Sequence, residues 1–314
     1  MNGTLGRDKI WNDQIWNDID KAVREEVGRI RIAQKVFPTT VVNNVLPVSR
    51  SRTVPFGVGA LGPVFPALDE FQPFFEISTE FQLTQAQVEG EESGRLAASF
   101  ARLAASVLAD AEDCVLFLGA QGIGLLPAGV NVTNQPPAGI PPQYATIPPG
   151  FVAEANNYPP PILVPAPVPP APIGDIMAAV ANGIAALNLL NRVQPGPYAL
   201  FLSPIHYAGV FSPAAPGLLQ TPGDAIRDVV TGGIYMVRRL AVANLGALVL
   251  NPPLANPNIG ILTSLGGEPA KIVLGTDAIT AFTQIDAQGN YHFRVFERMQ
   301  LVVRDGSAFQ LLAF

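Results

Sequence analysis

The stretches GPYALFL at residues 196–202 and DAIRDVVTGGIY at residues 224–235 decide the fold of this chain. The first is a short apolar and aromatic run, which predicts a buried strand, and a short helix and an open loop follow it. The second predicts a helix that ends at the paired glycines 232–233 before another strand begins. Neither stretch contains a catalytic pattern, so evidence on function has to come from the rest of the sequence.

Five further segments extend this pattern, and they are WNDID (16–20), FEISTEFQL (75–83), AEDCVLFLG (111–119), VLGTD (273–277) and FQLLAF (309–314). Taken in order with residues 196–235, they resemble segments of family 1 (linocin-like) encapsulins. Encapsulins are bacterial and archaeal shell proteins with the HK97-like capsid fold. In that family the corresponding parts are the first helix, the strand after the E-loop, the end of the spine helix, the A-domain and two late strands.

The resemblance implies an α+β fold, with one intertwined capsid subunit. The expected divisions are an N-terminal helix with the start of the P-domain (1–45), an E-loop (46–83), the P-domain spine helix (84–126), a proline-rich insertion (127–173), an A-domain (174–270) and the C-terminal P-domain strands (271–314). Encapsulins have a shorter connection where this chain has the insertion.

Apolar periodicity independently predicts three helices and several strands. Apolar residues three and four apart predict helices over about residues 8–33, 92–112 and 175–190. In the second helix alanine surrounds an apolar stripe that we expect to face the core, formed by Leu96, Phe100, Leu103, Val107 and Leu108. Alternation predicts a half-buried strand over 75–83, and turns at 288–290 and 305–306 predict antiparallel strands over 271–274, 278–285, 291–303 and 307–314.

The segment 127–172 holds 15 of the 31 prolines, no Lys or Arg, and one acidic residue, Glu154. This composition favours the polyproline II conformation, which needs little ordering entropy to dock on a surface. An exposed linker is one interpretation. Because the segment also contains Phe151, Val152 and other apolar residues, we favour a segment that packs on the shell surface.

Charged residues make up only 14% of the chain and apolar residues 48%, with a mean hydropathy of +0.29. Soluble proteins have about 25% charged residues, so a free monomer of this composition would expose a large apolar surface. No apolar run reaches about 18 residues, and we therefore expect no membrane insertion. The expected partner is the chain itself, in a homo-oligomer with large apolar interfaces.

The formal net charge is −6, and the chain has no cluster of Lys and Arg. This predicts that the protein does not bind nucleic acid, which favours a shell around a protein over a phage capsid around DNA. A prophage-derived major capsid protein remains the second interpretation. With one cysteine, Cys114, and no apolar signal-peptide core near the N-terminus, we expect a cytoplasmic particle.

The sequence has little material for a catalytic or cofactor site. GVGALG at residues 57–62 matches the G-x-G-x-x-G pattern of dinucleotide-binding proteins, but Pro63 and Pro66 stand where the phosphate-binding helix would begin. A dinucleotide-dependent enzyme is thus the third and weakest interpretation. Because His206 and His292 have no metal-ligand spacing to other residues, we expect no metal, no cofactor and no enzyme activity.

The resemblance implies that identical subunits close into a hollow icosahedral particle around a cargo enzyme that carries a C-terminal targeting peptide. In encapsulin systems the cargo is commonly a dye-decolourising peroxidase or a ferritin-like iron oxidase, which links such shells to oxidative stress and iron storage. The peptide binds in an apolar groove formed by the first helix and the adjacent strand, and the corresponding residues are Ile19, Val23, Val27 and Ile30. Alternatively, these side chains only pack the helix on the sheet.

A loop of the encapsulin A-domain lines the fivefold pore. Here the loop corresponds to residues 212–222, with the pore-lining residues Pro213, Ala214, Ala215, Pro216, Gly217, Leu218, Leu219 and Gln220. Since the loop carries no charge, we expect a small pore with weak ion selectivity.

Overall fold

The computed structural model describes residues 5–42, 48–51, 70–133, 147–157, 162–163, 176–189, 196–213, 220–241 and 259–313. The helices in these ranges are α1 (Asp13–Ile30), α2 (Ala33–Val36), α3 (Gln85–Glu89), α4 (Glu91–Gly94), α5 (Leu96–Leu118), α6 (Phe151–Asn157), α7 (Ile176–Leu189), α8 (Pro204–Val210) and α9 (Pro222–Ile226). The strands are β1 (Thr39–Val41), β2 (Val48–Ser51), β3 (Glu70–Pro73), β4 (Phe75–Leu83), β5 (Val130–Thr133), β6 (Ile162–Leu163), β7 (Tyr198–Leu202), β8 (Gly233–Met236), β9 (Ile259–Ser264), β10 (Ala270–Ile285), β11 (Tyr291–Val303) and β12 (Phe309–Ala313).

Across the described ranges the strands form two five-stranded sheets and one two-stranded ribbon. The first sheet has the order β1-β10-β11-β4-β5, in which β1 runs parallel to β10 and the other pairs are antiparallel. The second has the order β6-β12-β9-β7-β8, with both edge strands parallel to their neighbours. The ribbon pairs β2 with β3. Helices and mixed sheets confirm the α+β class.

Helix α1 begins at an asparagine cap, because the Asn12 side chain accepts a hydrogen bond from the Ile15 N–H at 3.0 Å. It ends before Arg31, whose backbone is extended, so α1 is shorter than the predicted 8–33. The expected apolar face is buried against α5 and β10, and it contains Trp16, Ile19, Val23 and Val27.

Helix α5 corrects one expectation from the apolar pattern. The helix exists, but its buried face is formed mainly by small residues, among them Ala97, Ala101 and Ala105. The predicted core stripe is partly at the surface, since Leu96 is 39% exposed, Phe100 38% and Leu103 63%. Small side chains allow the sheet to approach the helix axis closely. The alanine face of α5 therefore packs on the sheet in place of the face with Leu96, Phe100 and Leu103.

The core is centred on a group of stacked aromatic rings that joins both sheets to α5 and α6. Phe37 stacks on Phe151 with ring centroids 4.6 Å apart, and Phe151 contacts Phe117 and Phe309 at 5.3 Å each. Phe151 and Val152 are therefore inside the subunit. At Phe151 and Val152 the proline-rich segment is therefore part of the core. Both the exposed linker and the segment packed on the shell surface are wrong for these two residues.

The long hairpin of β10 and β11 confirms the turn predicted at 288–290. Gly289 has a φ of +82°, which favours glycine, and the Asp286 carboxylate accepts hydrogen bonds from the backbone N–H groups of Gln288 and Asn290. The two strands predicted at 271–274 and 278–285 are one strand, with register shifts between Leu274 and Ile279.

Candidate functional site

A groove with a volume of about 550 Å³ runs between the N-terminal halves of α1 and α5. Small side chains at Ala22, Ala98 and Ser99 leave space where the two helices face each other. The complete lining is Asn12, Gln14, Ile15, Asp18, Ile19, Lys21, Ala22 and Glu25 on one side, and Glu91, Glu92, Arg95, Ala98, Ser99 and Arg102 on the other.

The groove has a buried apolar floor and a charged rim. Ile19 and Ala22 are only 1% and 4% exposed, so they lie at the bottom. The exposed Glu25 and Arg102 face each other across the groove, with 3.9 Å between Oε2 and Nη2. Because the floor side chains expose almost no surface, a short peptide in this groove would be held mainly by the charged and polar groups of the rim.

Glu91 fixes the α5 side of the groove. Its buried carboxylate accepts hydrogen bonds from the first free backbone N–H groups of α5, from Ala97 at 2.6 Å and Ala98 at 3.2 Å. Arg95, directly before the helix, has a φ of 48°, so the chain turns sharply there. A carboxylate at a helix N-terminus satisfies unpaired donors and interacts favourably with the helix dipole.

The four residues that the resemblance assigned to a cargo groove lie along α1, but three of them are almost completely buried and expose no surface to a ligand. Ile19, Val23 and Val27 are 1%, 0% and 0% exposed, and Ile30 is half-buried. Of the four, Ile19 reaches the α1–α5 groove. Their contact with a cargo peptide stays a prediction, while their packing in the core of the subunit is observed.

The predicted pore loop falls mostly outside the described residues. Pro213 and Gln220, its first and last members, are exposed, and residues 214–219 are not described. At the end of the loop, Thr221 caps α9 in a capping box, in which it exchanges hydrogen bonds with Asp224. The weak ion selectivity therefore stays a prediction.

A second cluster of charged groups lies buried where α1, α5, β10 and β11 meet. The Arg31 guanidinium is 3.4 Å from carboxylate oxygens of Glu297 and Asp277 and 3.6 Å from Glu112. The Gln34 amide donates to Glu112 at 2.7 Å and to Glu297 at 3.1 Å. Three carboxyl groups thus share one guanidinium, with Glu112 and Glu297 closed to water and Asp277 partly exposed.

Burial raises the pKa of Glu112 to about 7, partly opposed by the positive charge of Arg31. Burial also raises the pKa of Glu297, which the charge of Glu112 raises further. The second carboxyl oxygens, Oε2, of both residues have no hydrogen-bond partner. Since two buried negative charges here would repel each other, the arrangement favours the neutral, protonated form of one of the two carboxyl groups.

Asp113 ties the same region together through the backbone. Its carboxylate accepts hydrogen bonds from the N–H groups of Ile32 and Ala33 at 2.9 to 3.1 Å. Burial and the neighbouring Glu112 raise the pKa of Asp113 to about 8. Sequence reasoning missed this cluster, although two consecutive acidic residues at the end of an alanine-rich apolar helix are a usable signal.

Ser203, His206 and Cys114 are packed in the core, while the partly exposed His292 lies with Nε2 3.1 Å from Asp286 Oδ2. Ser203 Oγ lies 2.9 Å from His206 Nδ1, but both residues are buried, and burial lowers the pKa of His206 to about 4. Burial raises the pKa of the Cys114 thiol to about 11. Within the described ranges no group of three His, Cys, Asp or Glu side chains is arranged for a metal. The glycine loop at 57–62 lies outside those ranges.

No helix in the described part of the chain combines the length and apolar character needed to cross a membrane.

The two mixed sheets, the long helix α5 packed against the first, and α1 beside it form the HK97-like capsid fold. No protein-family model and no curated protein sequence matches this chain. The virus-like particle protein of Pyrococcus furiosus is similar in structure with a TM-score of 0.57 at 14% identity, over 95% of this chain and 98% of that chain.

Two further structures have the same fold. The capsid protein of Myoviridae phage XM1 has a TM-score of 0.55 at 10% identity, over 89% of this chain and 90% of that chain. The SrpI encapsulin of Synechococcus elongatus PCC 7942, solved as a holo complex, has a TM-score of 0.50 at 12% identity, over 91% and 88%. At these identities the similarity establishes the fold.

Proposed function

We propose that this chain is the shell protein of an encapsulin-like nanocompartment, a cytoplasmic particle without enzyme activity of its own. Many copies close into a hollow icosahedral shell around a cargo protein. The observation that carries the proposal is the match of 95% of this chain to 98% of the virus-like particle subunit. The low content of charged residues, 14%, supports self-association, because closed shells bury apolar surface between copies.

Cargo is held, in this proposal, by a targeting peptide that binds in the α1–α5 groove. The groove is supported by its volume and by its charged rim, where Glu25 and Arg102 face each other. A peroxidase or a ferritin-like iron oxidase is the expected cargo from the resemblance to encapsulins. Haem absorbance or iron content of purified particles distinguishes these two.

A phage-type major capsid protein is the second candidate, because the XM1 capsid matches almost as well, with a TM-score of 0.55. The contents of the particle decide between them. Electron microscopy of particles purified from the native cell, followed by mass spectrometry and a nucleic-acid assay, gives shell and contents together. Protein cargo supports the compartment, packaged DNA supports the phage capsid, and a dimer or monomer of 33.2 kDa subunits contradicts both.

The groove is tested by filling it. Ala98→Trp places a large ring between the helices, on the side of α5 that lines the groove, so shells form while the cargo peptide is excluded. We expect about a tenfold loss of cargo, a change of about 1.4 kcal/mol in peptide binding. Quantitative mass spectrometry of purified particles measures the ratio of cargo to shell.

Ala98→Ser is the matched control, because it changes the same position while adding almost no bulk. It keeps the cargo ratio of the parent shell. Full cargo loading in intact Ala98→Trp particles contradicts the groove assignment and leaves the shell proposal standing.

A further inference from the structure

Helix α5 carries an apolar stripe that the described part of the subunit covers only in part. Leu96, Phe100 and Leu103 are 39%, 38% and 63% exposed, and Val107, one turn further, is half-buried. Large apolar side chains in a continuous row on a rigid 23-residue helix are costly in water.

The stripe is separate from the groove. Arg102 points into the groove, and at 100° per residue the middle of the stripe lies roughly 130° around the helix from it. The flanking side chains are small and uncharged, with Ser99 and Ser106 on one edge and Ala104 on the other. A partner of the stripe therefore meets α5 on another face from that of a peptide in the groove.

The spacing of the stripe specifies the shape of its partner. Positions 96, 100, 103 and 107 are separated by four, three and four residues, which is the seam by which one helix packs against another helix. No other described helix carries three exposed large apolar side chains, since α7 exposes Met177 and Leu189 at its two ends and α8 exposes Ile205. The helix in this molecule that matches the seam is α5 itself.

We infer that the stripe is a twofold contact between copies of this chain, in which α5 of one subunit packs antiparallel on α5 of another. Antiparallel pairing places Leu103 against Phe100 of the second copy, so the two copies of Leu103 lie next to the twofold axis, one on each side. The two helix dipoles then have a favourable antiparallel arrangement, and no like charges meet along the edges of the contact. This inference rests on the proposed self-assembly and specifies one of its interfaces.

The area of the seam fits a contact within a larger assembly. The exposed parts of Leu96, Phe100 and Leu103 amount to roughly 300 Å² per subunit, if a large apolar side chain has about 200 Å². A stable free dimer buries about 800 Å² per subunit. The seam alone therefore does not hold a dimer, but repetition by symmetry makes it effective in a closed shell.

The test uses complementary charges at Leu103. Leu103→Glu and Leu103→Lys each place like charges on both sides of the twofold axis, and we expect at least about a tenfold loss of assembled particles for each. When equal amounts of the two variants are mixed, Glu meets Lys across the axis, and assembly recovers. Sedimentation velocity measures the assembled fraction, and circular dichroism checks that each subunit is folded.

Gln284→Glu is the control, because it places an acid at an exposed position of β10, outside both the stripe and the groove, and it assembles like the parent chain. Normal assembly of the Leu103→Glu variant contradicts the inferred twofold contact between the α5 helices. Loss of assembly that mixing does not repair also overturns it, because the stripe then contacts a different surface. Failure of the parent chain to assemble contradicts the proposed function instead.

Discussion

Glu112 and Glu297 show how a buried pair of acids makes stability depend on pH. Below pH 4.5 both the folded and unfolded states hold the Glu112 proton, and its burial carries no charge penalty. As the pH rises to about 7, the unfolded chain releases this proton and the folded chain keeps it. The folded state therefore loses stability between about pH 4.5 and 7.

Glu112→Gln removes this contribution while keeping the shape of the side chain. We expect a smaller loss of unfolding free energy between pH 5 and pH 8, and a gain of roughly 2 to 4 kcal/mol at pH 8 relative to the parent chain. Urea unfolding at several pH values measures both. Glu80→Gln at an exposed strand position is the control variant, and a pH profile of Glu112→Gln that equals the parent profile contradicts the raised pKa of Glu112.

Val23 tests whether the inward face of α1 is core or cargo surface. The side chain is fully buried, so Val23→Asp places an unpaired carboxylate in the core and costs several kcal/mol. We expect loss of the folded subunit, measured as soluble yield and unfolding midpoint. Gly28→Asp is the control, because nothing lies within 4 Å of an added Cβ there. Intact but empty Val23→Asp particles show that Val23 contacts cargo instead.

The start of α5 shows how one side chain supports an element. Glu91→Ala leaves the N–H groups of Ala97 and Ala98 without their acceptor, and we expect a loss of about 1 to 2 kcal/mol in unfolding free energy. Thermal unfolding measures the change. Glu92→Ala removes an exposed acid one residue later and serves as control. Equal stability of the two variants shows that the Glu91 cap contributes little.

Helix α5 also shows how far periodicity predicts an element. The alanine-rich pattern correctly predicted the helix, because helix propensity is local. The same pattern assigned the wrong face of this part of α5 to the core, because leucine and phenylalanine are more hydrophobic than alanine. In the structure the alanine face packs on the sheet, since small side chains allow the helix to approach the sheet closely, and Leu103 lies at the surface.

For the whole molecule, the low charge content and the order of short motifs predicted a capsid-type subunit, and the two mixed sheets with their similarity to solved capsids confirm the fold. Exposed apolar side chains on α5, α7 and α8 agree with the composition. These side chains show where apolar area lies at the surface of the subunit, and the stripe on α5 is the part for which an interface between subunits is proposed.

Element types and their order follow from the sequence, since strand alternation, alanine-rich helices and glycine turns depend on neighbours along the chain. The charged cluster and the groove do not, because they join residues far apart in sequence. Arg31 and Glu297 are brought together only by the packing of α1 and α5 on the sheet, and Ser99 faces α1 only after that packing. Long-range packing also decided which side of each helix meets water, because burial depends on how closely the surfaces fit.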